Sequence, residues 1–148
     1  MRKCFGIAAG VLALAFLAQT QAQEKPATRT LKVKLGYTGS GKVDANHKIF
    51  VFLFDSPDFV QGGVMPIASQ SASAKDATLE FPGLEKSPIF VVAAFDPSGG
   101  YDGQSGPPPS GSSMGMYSTT PGQPEGVKIE PGKTVQIDLP FDDSFKMP

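Results

Sequence analysis

Apolar and polar residues alternate through Leu31-Lys32-Val33-Lys34-Leu35-Gly36-Tyr37, the period of a strand with one face in a core and the other in water. The same alternation runs through Ala77 to Phe81 and stops at Pro82-Gly83. It returns in Val127 to Glu130 and in Thr134 to Leu139, two segments joined by the turn pair Pro131-Gly132. Two runs have a different character. Ile49 to Phe54 and Ile89 to Phe95 are β-branched and aromatic nearly throughout and too short for a typical helix, so they predict strands buried on both faces. Gly62-Gly63 breaks the chain before a weaker strand around Met65 to Ser69, and Thr38 to Lys42 carries turn chemistry. No window sustains a helical period. Short strands at turn-delimited intervals predict an all-β domain, a single sandwich of about seven strands, antiparallel or mixed.

The double-sided runs set a requirement. One face of each must enter the sandwich interior. The other, either Phe50, Phe52 and Phe54 or Ile49, Val51 and Leu53, needs a separate cover, because large bare apolar patches are rare on monomers. The cover is either the chain's own loop or a partner. The segment 96–126 is rich in Gly, Pro and Ser, with Met114 to Tyr117 as its apolar punctuation, and connections of this length are functional or disordered. Phe50, Phe52 and Phe54, with Tyr101 and Tyr117 from the loop, are the candidate interaction surface.

The N-terminus changes the picture of where the domain works. Arg2 and Lys3 precede the apolar stretch Gly6 to Ala18, and small residues in the polar run after it suit a peptidase. This plan predicts a cleavable signal peptide over 1–22, a mobile leader over 23–29 and the sandwich over 30–148. The product is periplasmic or secreted, with no membrane span after cleavage. Cys4 lies before the apolar stretch, so the mature chain has no thiol for a disulfide, a metal or a nucleophile. With Arg2 and Lys3 removed, 11 of the 13 basic residues face 14 acidic ones, a net charge of −3. That mildly acidic, well-mixed balance excludes the basic stripe that nucleic acid requires.

Leu79-Glu80-Phe81-Pro82-Gly83-Leu84, followed by Phe90-Val91-Val92-Ala93-Ala94-Phe95-Asp96, resembles the hallmark of carboxypeptidase-regulatory-like, transthyretin-like sandwiches, above all the small exported bacterial members of unknown function. The tail of that hallmark is echoed in Ser98-Gly99-Gly100-Tyr101-Asp102 and Gly106-Pro107-Pro108. Lys86-Ser87 stands where the pattern has Pro-Gly, and Ser98-Gly99-Gly100 where it has Asn-Gly-Asn. The resemblance implies a transthyretin-like fold and a binding or structural role.

Several short patterns invite chemistry. Gly36 to Lys42 nearly spells a phosphate-binding loop, but Val43 stands where a magnesium-holding Ser or Thr belongs and a strand follows instead of a helix, so no nucleotide is expected. Gly111-Ser112-Ser113-Met114-Gly115 matches the hydrolase pattern G-x-S-x-G, which works only on a strand-to-helix elbow with a histidine at hand, and His47 is the one histidine. His47, Met65, Met114 and Met116 have the donor types of a copper(I) site, although Met114 and Met116 read better as core filler. Asp142-Asp143 reads as a solvated end. Asp96, Ser98 and Asp102 place oxygen donors on a glycine-rich turn, the raw material of a weak calcium site and the one cofactor considered. The expectation is therefore a non-catalytic exported module that binds or bridges an extracellular or periplasmic protein or glycan. The alternatives are a carbohydrate-binding module, or a hydrolase or metal-handling protein using the 96–126 loop.

Overall fold

A computed structural model describes residues 25–148; the expected signal peptide and the first two residues of the leader lie outside them. Seven strands form two sheets. In chain order they are β1 (Arg29–Tyr37), β2 (Ile49–Phe54), β3 (Ala68–Ala72), β4 (Thr78–Leu84), β5 (Phe90–Phe95), β6 (Ser113–Met116) and β7 (Thr134–Phe141). A three-stranded sheet has the order β4-β1-β7, and a four-stranded sheet the order β3-β2-β5-β6. All pairings are antiparallel except that of β1 with β7, so the domain is a mixed all-β sandwich. Among the described residues no helix is long and apolar enough to cross a membrane.

The alternation seen in the sequence becomes the core. Leu31, Val33, Leu35 and Tyr37 stand beside Val135, Ile137, Leu139 and Phe141 in the parallel register of β1 and β7, and all but Val135 are buried. From the opposing sheet, Ile49, Val51 and Leu53 of β2 and Val91, Ala93 and Phe95 of β5 complete the interior with Phe81 and Leu84 of β4. This settles the two-faced strand: the aliphatic set of β2 faces inward and its phenylalanines face outward. β-Branched and aliphatic side chains fit the narrow space between pleated sheets, where packing is close to crystalline density.

The strand boundaries differ from expectation at five places. β4 continues through Pro82-Gly83 to Leu84, with Pro82 tolerated because β4 is an edge strand. β3 lies at Ala68–Ala72 instead of 65–69. Val127 to Glu130 is no strand: Val127 makes an isolated bridge to Ile89, and Val127 and Ile129 fill the end of the core from an irregular segment. The long loop holds an unforeseen strand, β6, and β1 opens at Arg29, the last residue of the expected leader. Met114 and Met116 do not fill the inner core. The inward positions of β6 are Ser113 and Gly115, and a Cβ on Gly115 would collide with Phe141.

Replacing Phe81, which is 2% exposed between the sheets, with alanine is expected to cost about 3–5 kcal/mol. Denaturant unfolding measures this directly, and an unchanged midpoint would contradict the core assigned here.

Candidate functional site

The outer face of the four-stranded sheet carries Phe50, Phe52, Phe54, Phe90, Val92 and Ala94, and two segments of the chain lie over it. Tyr101 sets its ring edge-on to Phe50, with centroids 5.1 Å apart and planes at 70°. Gly103, at φ +76°, lays its backbone on the Phe50 ring, where any Cβ would clash. At the other end, a short 3-10 helix, Pro57–Gln61, stacks Phe59 on Phe54 with centroids 4.7 Å apart, and Met114 packs against the same cluster. Of the candidate interaction surface, Phe50 and Phe52 are thus buried, and Phe54 and Tyr101 are half-buried beside them. Tyr117 is not among them; it packs on the inner core instead.

Asp96 anchors the loop that provides this cover. It is 4% exposed, yet its carboxylate accepts from the Ser98 hydroxyl (2.6 and 2.8 Å) and from the amides of Ser98 (2.9 Å), Gly100 (3.1 Å) and Tyr101 (3.0 Å). Burial works to raise its pKa, but the Ser98 hydroxyl and these amides together hold it below the ordinary aspartate value. Asp102 is exposed and caps the next turn, accepting from the amides of Gln104 and Ser105 (both 2.8 Å) and from the Ser105 hydroxyl. The Ser105 hydroxyl first, and then those amides, bring its pKa down to about 2. The three expected calcium donors are therefore arranged around backbone: both Asp96 oxygens are occupied and the Ser98 hydroxyl is turned onto them.

A shallow cleft of about 430 Å³ opens where this loop meets the turn before β2. Asn46, Lys48 and Ser71 line one side, Asp96, Gly99 and Asp102 the other, and Tyr101 and Phe50 provide an aromatic wall. The turn is held by Asp44, whose Oδ1 accepts from His47 Nδ1 and from the amides of Asn46 and His47, each at 2.9 Å. The His47 ring packs against Gly99, where a Cβ would lie 2.9 Å from it. Rigid turns thus bring amide, ammonium, hydroxyl and carboxylate groups to one rim beside an aromatic ring. Asn46 and Lys48 come from one turn and Ser71 from β3, and no local pattern in the sequence marks them.

A second polar centre was also missed. Asp143, expected in a solvated tail, is half-buried and accepts from the Tyr37 hydroxyl (2.6 Å), the Ser113 hydroxyl (2.6 Å), and the amide and hydroxyl of Ser40 (2.8 and 2.9 Å). These donors, with the Ser113 and Tyr37 hydroxyls foremost, hold its carboxyl well below the usual range. The hydrolase-like Ser113 is thus 1% exposed within a strand, with Asp143 and Lys146 Nζ (3.3 Å) as its side-chain partners. The copper-type donors are dispersed. Met65 precedes one edge strand of the four-stranded sheet and Met114 and Met116 lie on the other, about 14 Å away at three strand spacings. Among the described residues no group of three or more His, Cys, Asp or Glu is placed to hold a metal ion.

No family model matches the chain, and no curated protein or solved structure matches it either.

The pH dependence of stability follows from Asp143. Its folded pKa lies below its unfolded value of about 3.9, so its contribution is fully present above that value and is lost as pH falls through the folded pKa. Thermal melts between about pH 6 and 2 are expected to show stability falling below pH 4. Asp143→Asn should be less stable at neutral pH and should flatten that fall; an unaltered slope would remove Asp143 from the account.

Proposed function

We propose that this chain is a non-catalytic, exported sandwich of transthyretin-like type that binds a hydroxyl-rich ligand, such as a glycan, in the cleft between the turn at 44–48 and the loop at 96–102. The observation that carries the reading is the convergence at that rim of Asn46, Lys48, Ser71 and Asp102 beside the Tyr101 ring. Hydroxyl-rich ligands are recognised by such mixtures of hydrogen-bonding groups with an aromatic face, and fixed turns lower the ordering cost of binding. The family assignment draws on the resemblance of 79–96, which spans β4 in one sheet and β5 in the other. Export draws on the signal-peptide plan of residues 1–22.

Titrating isotope-labelled protein with a panel of oligosaccharides is expected to shift the amides of Asn46, Lys48, Ser71 and Gly99 to Asp102. Asp102→Asn, which keeps an oxygen acceptor for its own turn, should weaken binding about tenfold, the size of one hydrogen bond to a charged group. No response across the panel, or shifts confined to another face, would overturn the reading. A melt with several millimolar calcium against chelator is expected to show no difference, because both Asp96 oxygens already have donors. A calcium-dependent rise would make the cleft a cation site.

The exported product should begin at or near Gln23. Intact mass of protein recovered outside the cytoplasm checks this, and a mass retaining Met1 would refute it.

A further inference from the structure

A sheet edge exposes unpaired amides and carbonyls, and proteins protect such edges with charge, proline, bulges or a covering segment. Three of the four edges of this sandwich are protected. β4 carries Glu80 and Pro82, and β7 carries Asp138 and Pro140. β6 is covered by the C-terminal tail: the Met114 amide donates to the Phe145 carbonyl (2.9 Å), the Met147 amide to the Ser112 carbonyl (2.8 Å) and the Gly111 amide to the Met147 carbonyl (2.9 Å), with a bridge between Ser113 and Lys146.

β3 has none of these devices. No charged residue occurs between Asp58 and Lys75, and no proline after Pro66 interrupts the edge. Ile67 extends it, since its amide donates to the Leu53 carbonyl (2.8 Å). The outward positions are Met65, Ile67, Ser69 and Ser71, all exposed, with Met65 at 75% and Ile67 at 42%. The helical residue Val60 is also exposed, at 57%. Gln70 turns towards the other sheet, and its Nε2 donates to the Glu80 carbonyl (2.6 Å), which fixes β3 beside β4.

The residues of β3 also define the partner. Ala68-Ser69-Gln70-Ser71-Ala72 reads the same in both directions. Two copies laid antiparallel about Gln70 would set Ala68 against Ala72, Ser69 against Ser71, and Gln70 against its counterpart, with small residues and serine pairs throughout. Cross-strand serine pairs are favourable, and a two-fold interface must be self-complementary in this way. We infer that β3 is the docking edge for a second copy of the chain, and that the pairing joins two four-stranded sheets into one of eight strands. Ser71 also lines the cleft, but the inference rests on the β3 edge and not on ligand binding.

Five paired residues make a small interface, so the dimer is expected to form over tens to hundreds of micromolar rather than at trace concentration. Sedimentation velocity of the mature chain, from ~10 to ~500 μM, should show the mass moving from one copy towards two. Ser69 and Ser71 face solvent, so a Ser69→Lys, Ser71→Lys double variant and a Ser69→Glu, Ser71→Glu double variant should both fold. Each alone sets like charges directly opposite and should remain monomeric; an equimolar mixture should recover a dimer at least tenfold tighter than either alone. Amides of Ala68 to Ala72 in the unsubstituted chain should gain hydrogen-exchange protection with concentration. A wild-type chain monomeric throughout, variants that dimerise as the wild type does, or protection confined to other strands would each overturn the inference.

Discussion

Strands β2 and β5 are apolar on both faces, and one whole face of the four-stranded sheet would meet water unless the chain supplied a second layer. The three-stranded sheet covers one side, and among the described residues no third sheet lies on the other. The cover is therefore irregular chain: Tyr101 and Gly103 over Phe50, and Phe59 over Phe54. Irregular backbone lying on aromatic rings cannot donate to them as to water, so its amides need polar partners. Asp96, at the point where β5 ends and the cover begins, accepts three of those amides. The cleft is a consequence of this arrangement. It lies where the cover begins, walled by the turns that hold it down.

The second constraint acts along the side of the sandwich. β6 and β7 belong to different sheets, and Asp143, just beyond β7, ties β6 through Ser113 to β1 through Tyr37. Hydrogen bonds to an ionised carboxylate are about twice as strong as neutral ones, so one residue can join three elements. The tail that follows then pairs along β6. On the opposite side, Gln70 is the named side-chain link between β3 and β4. The fold is closed on one flank and open on the other, and on the open flank the β3 edge carries no charge.

Much of this was legible in the sequence. The period-two segments became β1, β4 and β7, and the two apolar runs became the central strands of the larger sheet. What escaped notice lacked a local signal. β6 reads Ser-Met-Gly-Met because its inward positions must be small: Phe141 occupies the space beside Gly115 and Asp143 the hydrogen-bonding position beside Ser113. β3 is built from Ala, Ser and Gln, whose weak contrast leaves its register to β2. Val127 and Ile129 have strand periodicity yet serve as plugs from an irregular segment, since a residue can be core without belonging to a ladder. The cleft joins Asn46, Ser71 and Asp102, positions that only the folded chain brings together.

Two short patterns that look catalytic have a common explanation in packing. In the segment resembling a phosphate loop, a Cβ on Gly39 would strike Asp143 and Tyr37, and one on Gly41 would strike the Phe95 ring; Ser40 between them donates twice to Asp143. In the segment resembling a nucleophile elbow, Ser113 donates to the same carboxylate and Gly115 makes room for Phe141. Gly39 and Gly41 of the first pattern, and Ser113 and Gly115 of the second, are thus required by a crowded polar knot at one end of the sandwich. Close approach of backbone to aromatic rings demands glycine, and a buried carboxylate demands hydroxyl and amide donors. Those two demands account for Gly39 and Gly41 around Ser40, and for Ser113 with Gly115, without reference to phosphate or acyl chemistry.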